Sequence, residues 1–481
     1  MKKDLLILFL LIFPAFALLF QKGYFTMHDD LQSMRQLEMD KCFRDLQIPC
    51  RWVPDLGYGY GYPLFNYYPP FPYLLGQFYR TFGFSYIDIV KLIGITGFIA
   101  TAAFMYLLSR EFWGRSGGLI SSAFYTYAPY HSVDFWVRGA MNEFWAMCFY
   151  PFIFWSTYKL IQTNQKKYIS LVSISVSLLM LSHNPMLMIF APVYLAWIFF
   201  WLLKFRSIRS IRNLALSAFW ALGLAAFFTL PIIFETKYAS VWTLTSGYFN
   251  YLAHFVPLSR MFWWVKWGYG ASGLGQTDFL SFHIGYLHWI TPTFLLISLI
   301  FSKKLRGHKF LIILLTLFIL AALFMMHQKS TFIWQHFKPL GFLQFPWRFL
   351  TIAVFSASLL SGAIVKVLNK KIFSSFLLTL LILINGNYFK PRLWLSDMTD
   401  AQKFSGRSWQ LLVTSGIFDY LPIYAPFPPA DAAGADINIT QGNGTYIRIA
   451  KTSNLKKYSV NITSKTAVAE LQTYYFPGWK Y

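Results

Sequence analysis

Two adjacent carboxylates, Asp29 and Asp30, directly follow an apolar N-terminal run in a chain that has only 19 acidic residues. A carboxylate beside a reacting hydroxyl can accept its proton, and two carboxylates together can hold a divalent cation such as Mg²⁺ or Mn²⁺. The spacing from Thr26 to Asp29 is also that of a capping box, so either aspartate can instead cap the helix that follows. The stretch therefore predicts a catalytic or metal-binding acid, or else a helix cap.

A second polar group lies in the segment PYHSVDFWVRGAMNEFWA, residues 129 to 146. Its Arg138 can bind an anionic phosphate, and its Glu143 can act beside the first-loop carboxylates. Five positions separate these two residues, so a structural ion pair at a helix start is the alternative. The same segment also contains His131 and Asp134.

Two smaller groups have the residue types of a phosphate site. In His183-Asn184-Pro185, the histidine can contact phosphate or cap the helix that the proline begins. Arg348, in the stretch QFPWR, opens an otherwise apolar run, where its N–H groups can bind phosphate or extend to the lipid headgroups. The chain has no P-loop lysine motif, dinucleotide fingerprint, Cys-x-x-Cys pair or His-Glu-x-x-His motif, so we expect no nucleotide-driven pump.

The elements that must position these residues are membrane helices. Hydrophobic residues make up 56% of the chain and charged residues only 13%, which excludes an ordinary soluble domain. Eleven apolar stretches are long enough to cross a bilayer. Their predicted limits are 4 to 20, 86 to 109, 117 to 131, 140 to 161, 167 to 183, 185 to 203, 211 to 234, 284 to 302, 309 to 326, 346 to 367 and 372 to 389.

The basic residues predict the orientation of these spans. Lys and Arg lie mostly in short clusters in alternate loops, which places those loops and the N-terminus in the cytoplasm and the C-terminus outside. The net charge of +23 therefore indicates a multi-pass protein of the cell membrane, in contact with membrane lipids. We do not expect it to bind nucleic acid. A signal peptide cleaved after Ala15-Phe16-Ala17 is an alternative for the first run, and it leaves the later topology unchanged.

The long loops all fall on the outside, at residues 21 to 85, 235 to 283 and 327 to 345 and in the tail. Helical spacing of apolar residues from 31 to 46 predicts an amphipathic helix on the membrane surface. The glycine- and tyrosine-rich stretch 51 to 73 predicts either an aromatic wall around a polar ligand or an interfacial belt. Cys42 and Cys50 share this loop, where a disulfide is permitted. After Pro391, alternating β-favouring residues predict three or four antiparallel strands.

Four ordered segments resemble a known family: the first-loop His28-Asp29 with RWVPDLGYGYGYPLFNYYPPFPY, then VRGAMNE, SHNP and LQFPWRFL. They resemble bacterial membrane proteins that carry the 6-pyruvoyl-tetrahydropterin synthase-related membrane domain. Those proteins look like GT-C membrane glycosyltransferases. The resemblance covers residues 1 to 390 and implies a transmembrane GT-C-like domain there. The outside β-rich tail at 391 to 481 is expected to be either a minimal sheet or a truncated β-sandwich. Its YYFPGWKY resembles the first strands of the β-domain that often ends such proteins, which favours truncation.

The resemblance also matches individual residues, and it implies a catalytic role for the first-loop acid. Asp29 matches the first-loop catalytic acid, while Asp30 departs from the small or variable residue that often follows it. Arg138 and Glu143 match an Arg-Gly-x-x-x-Glu segment. The remaining matches are His183 and Asn184 in His-Asn-Pro and Arg348 in Pro-Trp-Arg. We expect Asp29, Asp30 and Glu143 to be catalytic, with Mg²⁺ or Mn²⁺ at the two aspartates, and His28, Arg138, His183, Asn184 and Arg348 to bind substrate.

The resulting hypothesis is an inverting glycosyltransferase of the outer membrane face. It moves a sugar from a polyprenyl-phosphate donor to an envelope acceptor, which is a lipid, a glycan or a protein. In this hypothesis the loop 235 to 283, with Trp263, Trp264, Trp267 and GYGASGLGQ, closes over the sugar or guides the lipid. Two alternatives from other classes are a lipid or polysaccharide transporter and a non-enzymatic membrane scaffold. A transporter is disfavoured because no paired internal repeats or mid-membrane carboxylates are evident.

Overall fold

A computed structural model describes residues 2–263, 266–273, 279–368, 371–415, 418–427, 429 and 431–480 of the chain. Their contacts define two compact units, each assembled from separate stretches of sequence. The first unit comprises Met1–His28, Lys91–Ala225 and Thr245–Ser396. The second comprises Asp29–Val90, Ala226–Leu244 and Asp397–Tyr481. The predicted domain boundary at residue 390 stays a prediction.

The described chain is mainly helical, as the composition predicts. The helices in chain order are α1 (Lys2–Ile12), α2 (Gln32–Arg44), α3 (Leu64–Tyr67), α4 (Phe71–Arg80), α5 (Tyr86–Thr126), α6 (Pro129–Ser132), α7 (Met141–Thr163), α8 (Lys167–Met180), α9 (Asn184–Phe205), α10 (Ile208–Glu235), α11 (Leu258–Phe262), α12 (Tyr286–Phe301), α13 (Lys309–Met326), α14 (Thr331–His336), α15 (Leu350–Ser361), α16 (Ile364–Val367), α17 (Lys371–Asn385), α18 (Asp400–Lys403) and α19 (Gly406–Thr414).

Six helical segments of the described chain are long and apolar enough to cross a membrane. They are Tyr86–Thr126, Asn184–Phe205, Ile208–Tyr238, Lys303–Met326, Pro346–Val367 and Lys371–Tyr388, and the shorter apolar helices are Lys167–Met180 and Tyr286–Phe301. These helices confirm an integral membrane protein, whereas the predicted number of eleven spans is not confirmed. The first predicted span is α-helical only to Ile12 and continues in 3₁₀ turns, with Pro14, which lacks an N–H, at the start of the first turn.

The predicted second and third spans together form α5, in which the chain turns back at Gly114. This glycine has φ 73° and ψ −172°, a conformation that a residue without a Cβ adopts readily. The Ser122 hydroxyl donates to the Ala102 carbonyl at 2.9 Å, so the stretches before and after the glycine pack side by side. The element is a helical hairpin in which both predicted runs are helical.

In the second unit, the predicted amphipathic helix of the first loop is present as α2, but its predicted setting is wrong. Residues on all sides of α2 are buried, including the polar residues Arg35, Glu38 and Asp40, because each of these finds a partner inside the unit. The helix therefore does not present one apolar face to a membrane surface. Cys42 and Cys50, at its end, form a disulfide.

The tail contains the predicted strands, arranged as two small antiparallel sheets. Strands β3 (Ile437–Gln441) and β6 (Val468–Leu471) form one pair, and β4 (Gly444–Lys451) and β5 (Lys456–Ile462) form the other. The first unit has its own short pair, β1 (Tyr24–Phe25) with β2 (Trp394–Leu395). Helices α18 and α19, which begin the second unit's share of the tail, were not predicted.

Candidate functional site

The first unit brings three predicted site residues into one buried cluster. Glu143 lies in the first turn of α7, Arg138 ends a π-helical turn from Val133 to Arg138, and Arg348 lies in a 3₁₀ turn that leads into α15. One carboxylate oxygen of Glu143, Oε2, lies 3.0 Å from Arg138 Nη1 and 3.1 Å from Arg348 Nε. A single carboxylate thus bridges two guanidinium groups.

Neighbouring side chains fix this cluster in place. Asp134 Oδ1 lies 2.5 Å from Arg138 Nη1, and the Tyr130 hydroxyl donates to Glu143 Oε1 at 2.5 Å. The Arg138 guanidinium lies 4.6 Å from the centre of the Trp347 ring, a favourable cation–π distance. The structural ion pair that the sequence allowed is therefore present. It holds the planar guanidinium groups in defined positions, which is also what bidentate binding of a phosphate requires.

Both arginines have donors left over after these contacts. Arg138 contacts carboxylates through Nη1, and its guanidinium packs on the Trp347 ring. Arg348 makes its hydrogen bonds through Nε and Nη1, and its guanidinium packs on the Phe345 ring. The Nη2 groups of both residues therefore have no partner in the part of the chain that the structure describes. A phosphate takes N–H donors of this kind, and it can be bound without displacing Glu143.

The other phosphate candidates of the first unit differ in their contacts. His183 caps α9, because its Nδ1 accepts the N–H of Met186 at 3.2 Å. The ring proton of a neutral His183 is consequently on Nε2, and Arg348 and Glu143 lie close enough to act on the ring electrostatically. No side-chain hydrogen bond is described for Asn184. The His28 ring Nε2 lies 2.7 Å from the carbonyl oxygen of Tyr269.

Asp29 begins the second unit, and it does not cap α2. The N-cap position of that helix is Leu31, which makes no side-chain cap, so the capping explanation is wrong. Asp29 Oδ2 accepts from Arg35 Nη1 at 2.7 Å and from Gln32 Nε2 at 3.1 Å. Both described bonds end on Oδ2, which orients the carboxylate and leaves Oδ1 as the oxygen that can accept a proton.

The partners of Asp29 are themselves held by aromatic residues of the first loop. The Arg35 guanidinium lies 4.3 Å from the centre of the Tyr68 ring, and the Tyr73 hydroxyl donates to Gln32 Oε1 at 2.6 Å. These tyrosines belong to the stretch 51 to 73, which the sequence predicts to form an aromatic wall. Among the described contacts, part of that wall packs on the residues that orient Asp29.

Asp30 has a different partner, Lys403 at the end of α18. Its Oδ2 lies 2.5 Å from the Lys403 ammonium. The other oxygen, Oδ1, is buried and has no described hydrogen bond. Burial raises the pKa of Asp30, the charge of Lys403 lowers it, and the charge of Asp29 raises it.

The predicted metal site does not fit the described donor set. No group of three or more His, Cys, Asp or Glu side chains in the described residues can hold a metal ion. Asp29 and Asp30 are each paired with a basic side chain, Arg35 and Lys403, which a cation would have to displace. We therefore derive no step through Mg²⁺ or Mn²⁺.

Sequence reasoning missed several supporting residues. Arg35 follows Asp29 by six positions and Trp347 directly precedes Arg348, so both were open to prediction as neighbours of candidate residues. Lys403 had no such signal, because 373 positions separate it from Asp30. Trp264 and residues 274 to 278, including Asp278, lie outside the described residues.

Several solved structures are similar to this chain at low identity. The arabinofuranosyltransferase AftD from Mycobacteria is 14% identical with a TM-score of 0.45, over 82% of this chain and 27% of its own. ArnT from Cupriavidus metallidurans in the apo state is 12% identical with a TM-score of 0.44, over 78% of this chain and 61% of its own. The archaeal oligosaccharyltransferase AglB from Archaeoglobus fulgidus, in complex with an inhibitory peptide and a dolichol-phosphate, is 15% identical with a TM-score of 0.43, over 89% of this chain and 61% of its own.

The chain thus spans about a quarter of AftD and about three fifths of the other two proteins. No family model matches the chain, and no curated protein matches it in sequence. The resemblance to the 6-pyruvoyl-tetrahydropterin synthase-related membrane domain consequently stays a prediction.

Proposed function

We propose that this protein is a membrane glycosyltransferase that moves a sugar from a polyprenyl-phosphate-linked donor to an envelope acceptor outside the membrane. The observation that carries the proposal is the pair of buried arginines, Arg138 and Arg348, held by one carboxylate with an Nη2 group of each left for a ligand. The described part of the chain also has six helical segments able to cross a membrane, so a ligand with a lipid tail and a phosphate suits both features.

In this proposal the two arginines stabilise the leaving group. When the bond between the anomeric carbon and the phosphate oxygen breaks, the electron pair stays on that oxygen and the polyprenyl phosphate gains a negative charge. Guanidinium donors that are already fixed stabilise this charge without reorganising. Glu143 keeps both arginines in position, and the Nε2–H of His183 can donate to a phosphate oxygen. A strong general acid is not needed, because phosphate is a good leaving group.

In this proposal, Asp29 is the base that acts on the acceptor hydroxyl. The hydroxyl oxygen forms the new bond to the anomeric carbon, and Asp29 Oδ1 accepts the proton released. Arg35 and Gln32 hold the other oxygen, so the carboxylate need not reorient during the reaction. One bond to the anomeric carbon forms as one breaks, and attack from the face opposite the phosphate inverts that carbon.

The test is a transfer assay with purified protein in lipid, using labelled polyprenyl-phosphate sugars and a panel of envelope glycans, lipids and peptides. The proposal predicts labelled product and released polyprenyl phosphate in equal amounts. Lipid movement across vesicles with no transfer from any donor would instead establish the transporter. If neither activity is found and substitution of Asp29 has no consequence in cells, the scaffold alternative holds.

A further inference from the structure

A small cavity in the first unit is lined by two basic side chains and a serine. The lining residues are Arg260, Lys266, Phe279, Leu280, Ser281 and Phe282, none of which is acidic. Neither Arg260 nor Lys266 forms an ion pair with any residue that the structure describes. The lining therefore has two positive charges without a described counter-charge, which favours an anionic ligand.

The guanidinium of Arg260 is held by aromatic rings and a carbonyl. Its central carbon lies 4.5 Å from the centre of the Phe279 ring and 4.7 Å from that of Phe282. Its Nη2 donates to the Leu280 carbonyl at 3.1 Å, whereas Nε and Nη1 have no partner among the described contacts. A guanidinium that is already fixed loses little conformational entropy when its remaining N–H groups bind an anion.

Ser281 gives independent evidence of a ligand. This residue is 5% exposed, and its hydroxyl has no hydrogen-bond partner in the described chain. A buried hydroxyl without a partner is unfavourable, so buried polar groups are nearly always hydrogen-bonded. Because Ser281 lines the same cavity as Arg260, an anion bound there can accept from both side chains.

We propose that Arg260, Lys266 and Ser281 bind a phosphate group, as a second anion site apart from Arg138 and Arg348. The three side chains offer a planar donor, a point charge and a hydroxyl, and the oxygens of one phosphate can accept from all of them. A phosphate monoester also carries close to two negative charges at neutral pH, which matches the two cations, whereas a carboxylate carries one.

The cavity lies near the arginine pair that is proposed to hold the donor phosphate. The Phe282 ring, which contacts Arg260, has its centre 5.5 Å from that of the Trp347 ring, and Trp347 packs on the Arg138 guanidinium at 4.6 Å. Two aromatic side chains thus link the two arginines. The assignment of a ligand rests on the proposed function: a second phosphate beside the donor belongs to a phosphorylated acceptor or to a neighbouring lipid phosphate.

The experiment measures the reaction of individual arginines with phenylglyoxal by mass spectrometry, using purified protein in a phosphate-free detergent and increasing inorganic phosphate. Phosphate should protect Arg260, because a bound anion covers its remaining N–H groups. Arg407, an exposed residue of α19, is the matched control and should react equally fast throughout. Equal protection of both residues would overturn the inference, and so would equal protection of Arg260 by chloride at the same ionic strength.

Two substitutions test the other members of the site. Lys266→Gln should raise the phosphate concentration that half-protects Arg260 by about tenfold, and Ser281→Ala should raise it by about three- to tenfold. Lys338→Gln removes the same charge from an exposed lysine of the loop 327 to 345, and it should leave this concentration unchanged. Unchanged protection in either Lys266→Gln or Ser281→Ala would overturn the inference.

Asp278→Asn tests for a competing carboxylate, because Asp278 directly precedes Phe279 in the sequence and lies outside the described residues. Wild-type protection of Arg260 in this variant supports a site for an external phosphate. Protection at about tenfold lower phosphate would show that the chain's own carboxylate occupies the site, and it would overturn the inference.

The source of the phosphate is tested with glycerol phosphate and phosphatidic acid, which carry the same group without and with acyl chains. Similar half-protecting concentrations would support a phosphorylated acceptor, and a tenfold lower value for phosphatidic acid would support a lipid phosphate. Protection of Arg260 in a protein that transfers no sugar would contradict the proposed function alone. Transfer without protection by any of these phosphates would overturn only this inference.

Discussion

At the scale of residues, the candidate site is made of charges that are fixed by other charges. Glu143 holds Arg138 and Arg348, and Arg35 holds Asp29. In each case the contact occupies some atoms of the functional group and leaves others for a ligand. Fixed donors and acceptors of this kind reduce the reorganisation that a reaction needs.

Replacing Arg348 by Lys tests whether the shape of the guanidinium matters as well as its charge. Lysine keeps one positive charge, but its donors all lie on the single Nζ atom. It therefore cannot contact Glu143 with one nitrogen and the phosphate with a second one held in the same plane, as the arginine can. We expect kcat/KM for the lipid-phosphate donor to fall about 10- to 100-fold, which corresponds to the loss of roughly one charge-assisted hydrogen bond. Steady-state kinetics of sugar transfer at varied donor concentration measure this fall in kcat/KM.

The control for this substitution is Arg44→Lys, which alters a half-exposed ion pair with Asp40 on α2. Its kinetics should match those of the wild type. If Arg348→Lys transfers sugar as fast as the wild type at every donor concentration, Arg348 does not bind the phosphate through its planar fork.

At the scale of elements, sequence periodicity predicted where helix α2 lies in the chain, but it did not predict that the helix is buried on all sides. Helix α2 was predicted from residues 31 to 46 and is found at Gln32–Arg44. Its spacing of apolar residues was the correct signal for a helix. The same pattern suggested a membrane surface because Arg35, Glu38 and Asp40 look solvent-facing in sequence. Their partners, such as Tyr86 for Asp40, come from other elements and cannot be seen in a local window.

Glu38 on this helix predicts a dependence of stability on pH. Burial raises the pKa of Glu38 from its ordinary value to about 7, and Lys41 offsets only part of this. The folded protein therefore keeps this proton to a higher pH than the unfolded chain does. Stability must fall as the pH rises from about 4.5 to 7 and then level off, by up to about 3 kcal/mol from this one group.

Glu38→Gln should remove this part of the pH dependence. Relative to the wild type, the variant should become more stable as the pH rises from 5 to 8, as measured by thermal unfolding midpoints in lipid or detergent. Glu470→Gln, at an exposed position of β6, is the control and should follow the wild-type curve. A constant difference between Glu38→Gln and the wild type across this range would contradict the assignment.

At the scale of the whole molecule, the class of fold and many of the helices could be predicted from the sequence. The contacts between residues that are distant in sequence could not. Apolar runs predicted membrane helices, and alternation predicted the strands of the tail, because both signals are local. The pair of Asp30 with Lys403 and the cluster of Arg138, Glu143 and Arg348 depend on tertiary folding. Candidate residues could be proposed individually, but their partners could not be assigned.

The predicted orientation, with the N-terminus inside and the tail outside, can be tested with introduced cysteines. The natural cysteines do not compete, because Cys42 and Cys50 are bonded to each other and Cys148 is buried. In intact cells, a membrane-impermeant maleimide should label Lys465→Cys and should label Arg306→Cys only after permeabilisation. The opposite pattern would reverse the topology and place the proposed chemistry on the cytoplasmic side.

The most direct test of the central claim is sugar transfer from a labelled polyprenyl-phosphate donor by the wild type and by Asp29→Asn. The asparagine nearly preserves the shape of the side chain but cannot accept the acceptor's proton. The account predicts robust transfer by the wild type and a loss of about 10²- to 10⁴-fold in the variant, with donor binding retained. Transfer that persists undiminished in Asp29→Asn would contradict it.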